Sequence, residues 1–225
     1  MKYHINFDLE LKKNPYTGTY IALEGIDGSG KTTQAEKIAE YFEKQGKTVI
    51  HTREPRSEGL VGSIVREVLQ AKIKIPSIAL QYLFSADRAI HHEEIIVPSL
   101  KAGKVVISDR CFWSAVPYGI MDRTESSYEL TEANQILIAQ SILSMYHQFI
   151  VPDHTFYLKI SVETAVKRLE GVEKTQEIYE KKETLQKITS GYDWLVEHFP
   201  EAITKLDGEK KENEVIEDIL FQINK

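Results

Sequence analysis

The chain has 225 residues, 42% of them apolar and 28% charged, a balance that excludes a disordered polypeptide. Its 28 basic and 34 acidic residues give a net charge of −6, the wrong sign for a protein that coats DNA or RNA, yet compatible with a small anion in a local basic pocket. Cys111 is the only cysteine, which excludes an intrachain disulfide and a cysteine-rich zinc site. No apolar run is long enough to span a membrane and no signal peptide is visible, so the expected compartment is the cytoplasm, with neither membrane nor nucleic acid as partner.

Residues 1–18 read as an appendage, with alternation over His4–Leu11 predicting a half-buried strand, and residues 19–225 as one domain. From Tyr20 the pattern repeats strand, turn, helix. Tyr20–Leu23 is a short apolar strand; Ala35, Ile38, Ala39 and Phe42 recur at helical spacing until Gly46. Thr48–His51 is a second strand, Leu60–Leu69 an amphipathic helix, and Pro76-Ser77 opens a third helix carrying Leu80, Leu83 and Phe84. Val105–Ile107 reads as a strand, Ile136–Phe149 as one mostly apolar helix, and Thr155–Leu158 as a strand. Helices are expected over Val162–Leu169, Ile178–Phe199 and Glu214–Ile223, with a last strand at Ala202–Leu206. Apolar strands alternating with helices predict an α/β fold, a parallel sheet of about five strands covered on both faces. Ligands of such sheets sit at the carboxyl ends of the strands.

The first strand ends in Gly25-Ile26-Asp27-Gly28-Ser29-Gly30-Lys31-Thr32, the pattern G-x-x-x-x-G-K-T between a strand and a helix. Its glycines let successive backbone N–H groups turn toward phosphate oxygens, and the next helix adds its positive end. Lys31 would reach the β- and γ-phosphates and the Thr32 hydroxyl would ligate Mg²⁺. A chance match in a chain of this length is on the order of one in a hundred. The motif implies a P-loop NTPase fold and a nucleoside triphosphate; it does not separate kinase from GTPase, motor or sensor. No Asn-Lys-x-Asp guanine-reading sequence is present.

Other strand ends carry Thr52-Arg53-Glu54-Pro55-Arg56 and Ser108-Asp109-Arg110-Cys111-Phe112-Trp113-Ser114, with Tyr118 beyond and Lys167-Arg168 later in the chain. Phe84 and Arg88 are four apart and share one helix face, where a planar base could stack beside a guanidinium. Taken singly, Phe84 could be core and Arg88 solvated; together the arginines form a clamp for a second anion facing the triphosphate. His91-His92-Glu93-Glu94 has metal-binding residue types, but adjacent helical histidines diverge by about 100°, so a solvated face is expected. Cys111 reads as buried packing.

These segments resemble the thymidylate kinase family. The likeness rests on Leu23 through Gln34, Thr52-Arg53-Glu54-Pro55, Leu83 through Arg88, Asp109-Arg110 with Ser114 and Tyr118, Glu177-Ile178-Tyr179-Glu180, and Leu206-Asp207-Gly208 before a final helix. The resemblance implies ATP-dependent phosphorylation of dTMP to dTDP with Mg²⁺, feeding the dTTP supply. It makes Gly25, Ile26, Asp27, Gly28, Ser29, Gly30, Lys31, Thr32 and Thr33 the ATP-binding loop, and Thr32 and Asp109 the metal residues. By the same likeness Asp27 would hold the acceptor's 3′-hydroxyl, Phe84 stack on thymine and Arg88 bond its carbonyl edge. Arg53 and Arg110 would grip the acceptor phosphate, Tyr118 press on C2′, and Ser114 and Tyr179 complete the site. The resemblance also implies a short lid at about 168–178, adenine near the loop after Asp207, and a homodimer for which the Ile136–Leu143 helix would be a contact surface or simply core.

The chain departs from the family's pattern in several places, among them Arg56 in place of a common glycine and Cys111 in place of a frequent aromatic. The family's catalytic arginine sits in the phosphate loop or the lid; here Gly28 occupies the loop position and Glu170–Glu177 holds no arginine. Charge count assigns that role to Arg168, assisted by Lys174 or Arg56; with Lys31 of the phosphate loop and Asp109 and Arg110 implied by the resemblance, it completes the catalytic set. Ala115 replaces a small polar residue beside thymine, so a kinase for another deoxynucleotide or a nucleoside remains open. The arginine-poor lid keeps open a non-catalytic nucleotide-binding regulator.

Overall fold

The computed structural model describes residues 10–124, 131–170 and 178–225. Its frame is a five-stranded, wholly parallel sheet in the order β2-β3-β1-β4-β5, formed by β1 (Thr19–Glu24), β2 (Val49–Arg53), β3 (Val105–Asp109), β4 (His154–Lys159) and β5 (Thr204–Asp207). Alternate strand residues point to opposite faces, and both sets are apolar because both faces are covered. On one face Ile21, Leu23, Ile107, Phe156 and Leu158 pack against α1 (Lys31–Lys44) and α9 (Glu212–Ile223). On the other, Tyr20, Ala22, Val106 and Tyr157 pack into a larger core with α2 (Gly59–Leu69), α3 (Ser77–His91), α5 (Ala115–Thr124), α6 (Glu132–Leu143) and α8 (Lys182–His198). Each fully buried Leu, Ile or Phe in these layers contributes about 1.5–3 kcal/mol.

The five strands expected from Tyr20 onward and most helices are present, with ends shifted by at most four residues. α7 spans Val162–Leu169, capped by Ser161 Oγ accepting from Thr164 N at 3.1 Å. α3 continues through a π-helical turn, His92–Ile96, into α4 (Val97–Lys101). Two segments differ from expectation. Ile136–Phe149 is not one helix: α6 ends at Leu143, and a 3₁₀ turn over Ser144–Tyr146 takes the chain on to Ile150, which stays buried. α5 has no counterpart among the predicted elements. Its Pro117 lies in the first turn, where no N–H is needed, and Gly191 of α8 admits it closely, since a Cβ there would stand 2.8 Å from Pro117 Cα.

The predicted strand over His4–Leu11 lies mostly outside the described residues; next to it Lys12 makes a single parallel bridge to Ile150. Most of the expected lid, with Lys174, also lies outside them. Among the described residues no helix is long and apolar enough to cross a membrane.

Candidate active site

Sheet register decides which side chains meet. Asp109 is the partner of both Leu23 and Arg53, so the ends of β1, β2 and β3 reach the same level beside the phosphate loop. The sheet order reverses around β1, which opens a crevice at that end.

A cavity of about 600 Å³ is lined by Asp27 through Gln34, Arg53, Asp109, Arg110, Arg168, Gly208 and Lys210, among others. Gly30 caps α1 at φ 92°, aiming the helix's first N–H groups at the cavity. Lys31 is buried, its Nζ donating to the carbonyls of Gly25 at 3.1 Å and Ile26 at 3.0 Å. Burial first, then the nearby Arg110 cation, lowers its pKa to about 8. A cation held at such cost is a site that an anion would relieve. Ser29 Oγ is buried with no hydrogen-bond partner among the described residues, a second polar atom that a phosphate oxygen would satisfy. The Thr32 hydroxyl donates to Asp109 Oδ2 at 2.8 Å, placing two hard oxygen donors together as a divalent magnesium ion requires.

Position 28 explains the missing loop arginine. Gly28 has φ 83°, and a Cβ on it would lie 3.0 Å from the Ala165 carbonyl oxygen of α7. A side chain there would strain the backbone and press on α7. α7 instead sends Arg168 to the same place, NH1 donating to Gly28 O at 3.1 Å and NH2 to Gly208 O at 3.2 Å. Arg56 does not join it: Asp87, at 3.0 Å, and Glu94, at 3.2 Å, hold its guanidinium, and it lines neither cavity, which corrects its expected assisting role.

A narrower cleft adjoins the first and is lined by Asp27, Arg53, Glu54, Gln81, Phe84, Arg88, Arg110, Ser114, Ala115, Tyr118 and Tyr179, with others. Arg110 adopts φ 74° and turns its guanidinium inward, NH2 to Asp27 Oδ1 at 2.7 Å and NH1 to Gly25 O at 2.8 Å. Burial would lower its pKa; Tyr118, Tyr192 and Asp27 outweigh this and keep it cationic. Below it Glu24 is fully buried and accepts from Cys111 N at 2.9 Å, Tyr192 OH at 2.7 Å and Ser114 Oγ. Burial, then Glu24, pushes the Cys111 thiol well up, so it packs as an inert thiol as expected.

Arg88 is buried, with Nε donating to Glu54 Oε2 at 2.8 Å and its guanidinium carbon 5.6 Å from the Phe84 ring centre. Glu54 Oε1 takes a bond from His91 Nδ1 at 2.9 Å, and His91 Nε2 meets Thr52 Oγ1 at 2.7 Å. Burial would raise the Glu54 pKa, but the His91 hydrogen bond and the Arg88 charge together bring it below the ordinary value. His91 and His92 are therefore not a solvated face. His91 fixes Glu54, while His92 stacks on Phe149 at 4.6 Å and its Nε2 accepts from Ile150 N. Their partners lie far away in sequence, which hid the arrangement. Glu54 and Glu24 carry no assigned role in the sequence reading, although each lies within a recognised motif.

Apart from Gly25 and Ile26, which line neither cavity and give their carbonyls to Lys31, the expected site residues fall into two groups. Lys31, Thr32, Thr33, Asp109 and Arg168 border the first cavity, and Phe84, Arg88, Ser114, Tyr118 and Tyr179 the second. Asp27, Arg53 and Arg110 border both. The Arg53 side chain makes no hydrogen bond or ion pair with the described residues.

A family model described as thymidylate kinase matches residues 23–219. A probable thymidylate kinase of Methanocaldococcus jannaschii is 34% identical over 200 residues, covering 88% of this chain and 93% of its own. A thymidylate kinase of Thermoanaerobacter sp. is 33% identical over 209 residues, covering 92% and 98%. Among solved structures, the thymidylate kinase of Candida albicans aligns with a TM-score of 0.74 at 21% identity over 92% of this chain and 91% of that one, a likeness of fold.

Proposed function

The chain belongs to the thymidylate kinase family and phosphorylates dTMP to dTDP; on that premise we propose that Mg-ATP is the donor, bound in the larger cavity, and that dTMP occupies the cleft beside it. The observation that carries the reading is the shared wall. Asp27, Arg53 and Arg110 border both spaces, so an anion in each would share the two arginine cations, with Asp27 anchoring Arg110.

The acceptor phosphate has a second pKa near 6 and is already mostly dianionic at neutral pH, so no general base is needed. The protein must align two repelling anions and stabilise charge in flight. Arg110, anchored by Asp27, and the exposed Arg53 hold the acceptor phosphate. Its oxygen attacks the γ-phosphorus as the bond to the β-bridging oxygen breaks. Lys31 and the loop N–H groups hold the β- and γ-phosphates, and Arg168 meets the transferred group from α7. Thr32 and Asp109 would hold Mg²⁺, which supplies positive charge to the phosphate chain when bound. Phe84 stacks on the base and Arg88 bonds its carbonyl edge. A homodimer in the cytoplasm is the setting this reading expects; sedimentation would show a species of twice the chain mass.

The test is a coupled ADP-release assay with Mg-ATP and dTMP, dUMP, dCMP, dGMP or thymidine. The reading expects ADP release with dTMP above all. Tight ATP binding with no ADP from any acceptor would overturn it in favour of a regulator.

A further inference from the structure

We propose that Gln81 reads the base in the acceptor cleft, its Oε1 accepting the N3–H of a thymine or uracil; this rests on the reading that the cleft holds the acceptor nucleotide. Gln81 sits on α3 three residues before Phe84 and seven before Arg88, on one helix face, and borders the cleft with both. It is 5% exposed. Its Nε2 donates to Asp122 Oδ2 at 2.9 Å, and the Tyr179 hydroxyl donates to the same carboxylate at 3.2 and 3.3 Å. A carboxylate only accepts, so this bond fixes which end of the amide faces Asp122. The oxygen is left at the other end, buried and with no partner among the described residues. Buried acceptors are rarely left unanswered, and one beside a substrate cleft calls for a donor from the ligand.

The surrounding groups say which donor. Arg88 presents N–H groups and suits a carbonyl, while Ala115 brings no polar side chain to the cleft. A base that answers both Gln81 and Arg88 therefore offers an N–H beside a carbonyl, which among the pyrimidines is the edge of thymine and uracil. Cytosine places a lone pair at N3 and would set two acceptors against each other. Selectivity lost at position 115 is thus supplied from α3, and Asp122 is a positioning residue that sets the amide's orientation.

Wild type, Gln81→Leu and Asp122→Asn are compared for kcat/KM, at saturating ATP, with dTMP and with 5-methyl-dCMP. The second substrate keeps the methyl group and turns N3 from donor to acceptor. Gln81→Leu lowers kcat/KM for dTMP about 10–100-fold, mainly through KM, and spares 5-methyl-dCMP, so the preference narrows by that factor. Asp122→Asn can donate to Oε1, lets the amide present its NH₂ to the cleft, and narrows the preference in the same direction. A glutamine that only packs would lower both substrates in parallel, and an unchanged ratio overturns the proposal. Should the variants fail to fold, the imino proton of ¹⁵N-labelled dTMP bound to wild type gives the answer. Protection from exchange supports the contact, and exchange as fast as in free dTMP overturns it. A wild type that turns over neither substrate would sink the functional reading itself, an outcome distinct from an unchanged ratio.

Discussion

The two cavities are built from different materials. The phosphate cavity is made of backbone N–H groups, a helix end and cations at its mouth such as the exposed Arg168. The acceptor cleft is made of buried side chains already bonded to one another: Glu54 with Arg88 and His91, Glu24 with Ser114 and Tyr192, and Asp122 with Gln81 and Tyr179. Backbone reads phosphate in any nucleotide, whereas a pre-bonded set of side chains fits one edge of one base. Changes on the donor side should therefore damage rate and leave the fold intact, while changes on the acceptor side should damage fold and dTMP affinity together.

The largest expected effect tests the donor side. Arg168→Ala lowers kcat by about 10³–10⁵-fold if it serves as the arginine of phosphoryl transfer. Its melting temperature stays close to wild type, since the side chain is exposed. Turnover within twofold of wild type would remove Arg168 from the mechanism.

Next comes Glu54→Gln, which leaves Arg88 buried without its counter-charge. Breaking such a pair costs about 3–5 kcal/mol. In a chain of this size that lowers the melting temperature by on the order of 10 °C. KM for dTMP rises while KM for ATP holds. A change confined to KM for ATP would contradict the division between the two cavities.

A smaller effect is the pH dependence of that loss. The folded-state pKa of Glu54 lies below its ordinary value of 4.5, so its contribution is complete above that value and is lost as pH falls through the folded pKa. Thermal melts of wild type and Glu54→Gln should differ most near pH 7 and converge as pH drops well below 4.5. A gap that widens in acid would reverse the sign and refute the assignment.

The smallest effect is on Ser29. Removing an unpartnered hydroxyl leaves stability within about 1 kcal/mol. Ser29→Ala should therefore melt with wild type yet raise KM for ATP several-fold, a split readable from melts and initial rates.

Much of this architecture was legible in the sequence, for reasons that differ by element. The phosphate loop and α7 were clear because short-range pattern and capping chemistry determine them. α5 was not, because Pro117 and Gly119 break the local pattern while packing against α8 sustains the helix. The apolar run after Leu143 looked helical because Tyr146 and Ile150 are core residues, although the chain there turns. Arg88 and Phe84 were found through their shared helix face. Glu54, His91 and Gln81 were missed because their roles depend on partners 34 to 41 positions away, which no local period reports.

The central claim is that donor and acceptor anions lie on either side of the wall formed by Asp27, Arg53 and Arg110. It is tested most directly with one molecule that fills both spaces: adenosine and thymidine joined 5′ to 5′ through a polyphosphate chain. The account predicts inhibition competitive with both ATP and dTMP and tighter than either nucleotide alone, since linked groups bind with a high effective concentration. Competition with one substrate only would contradict it.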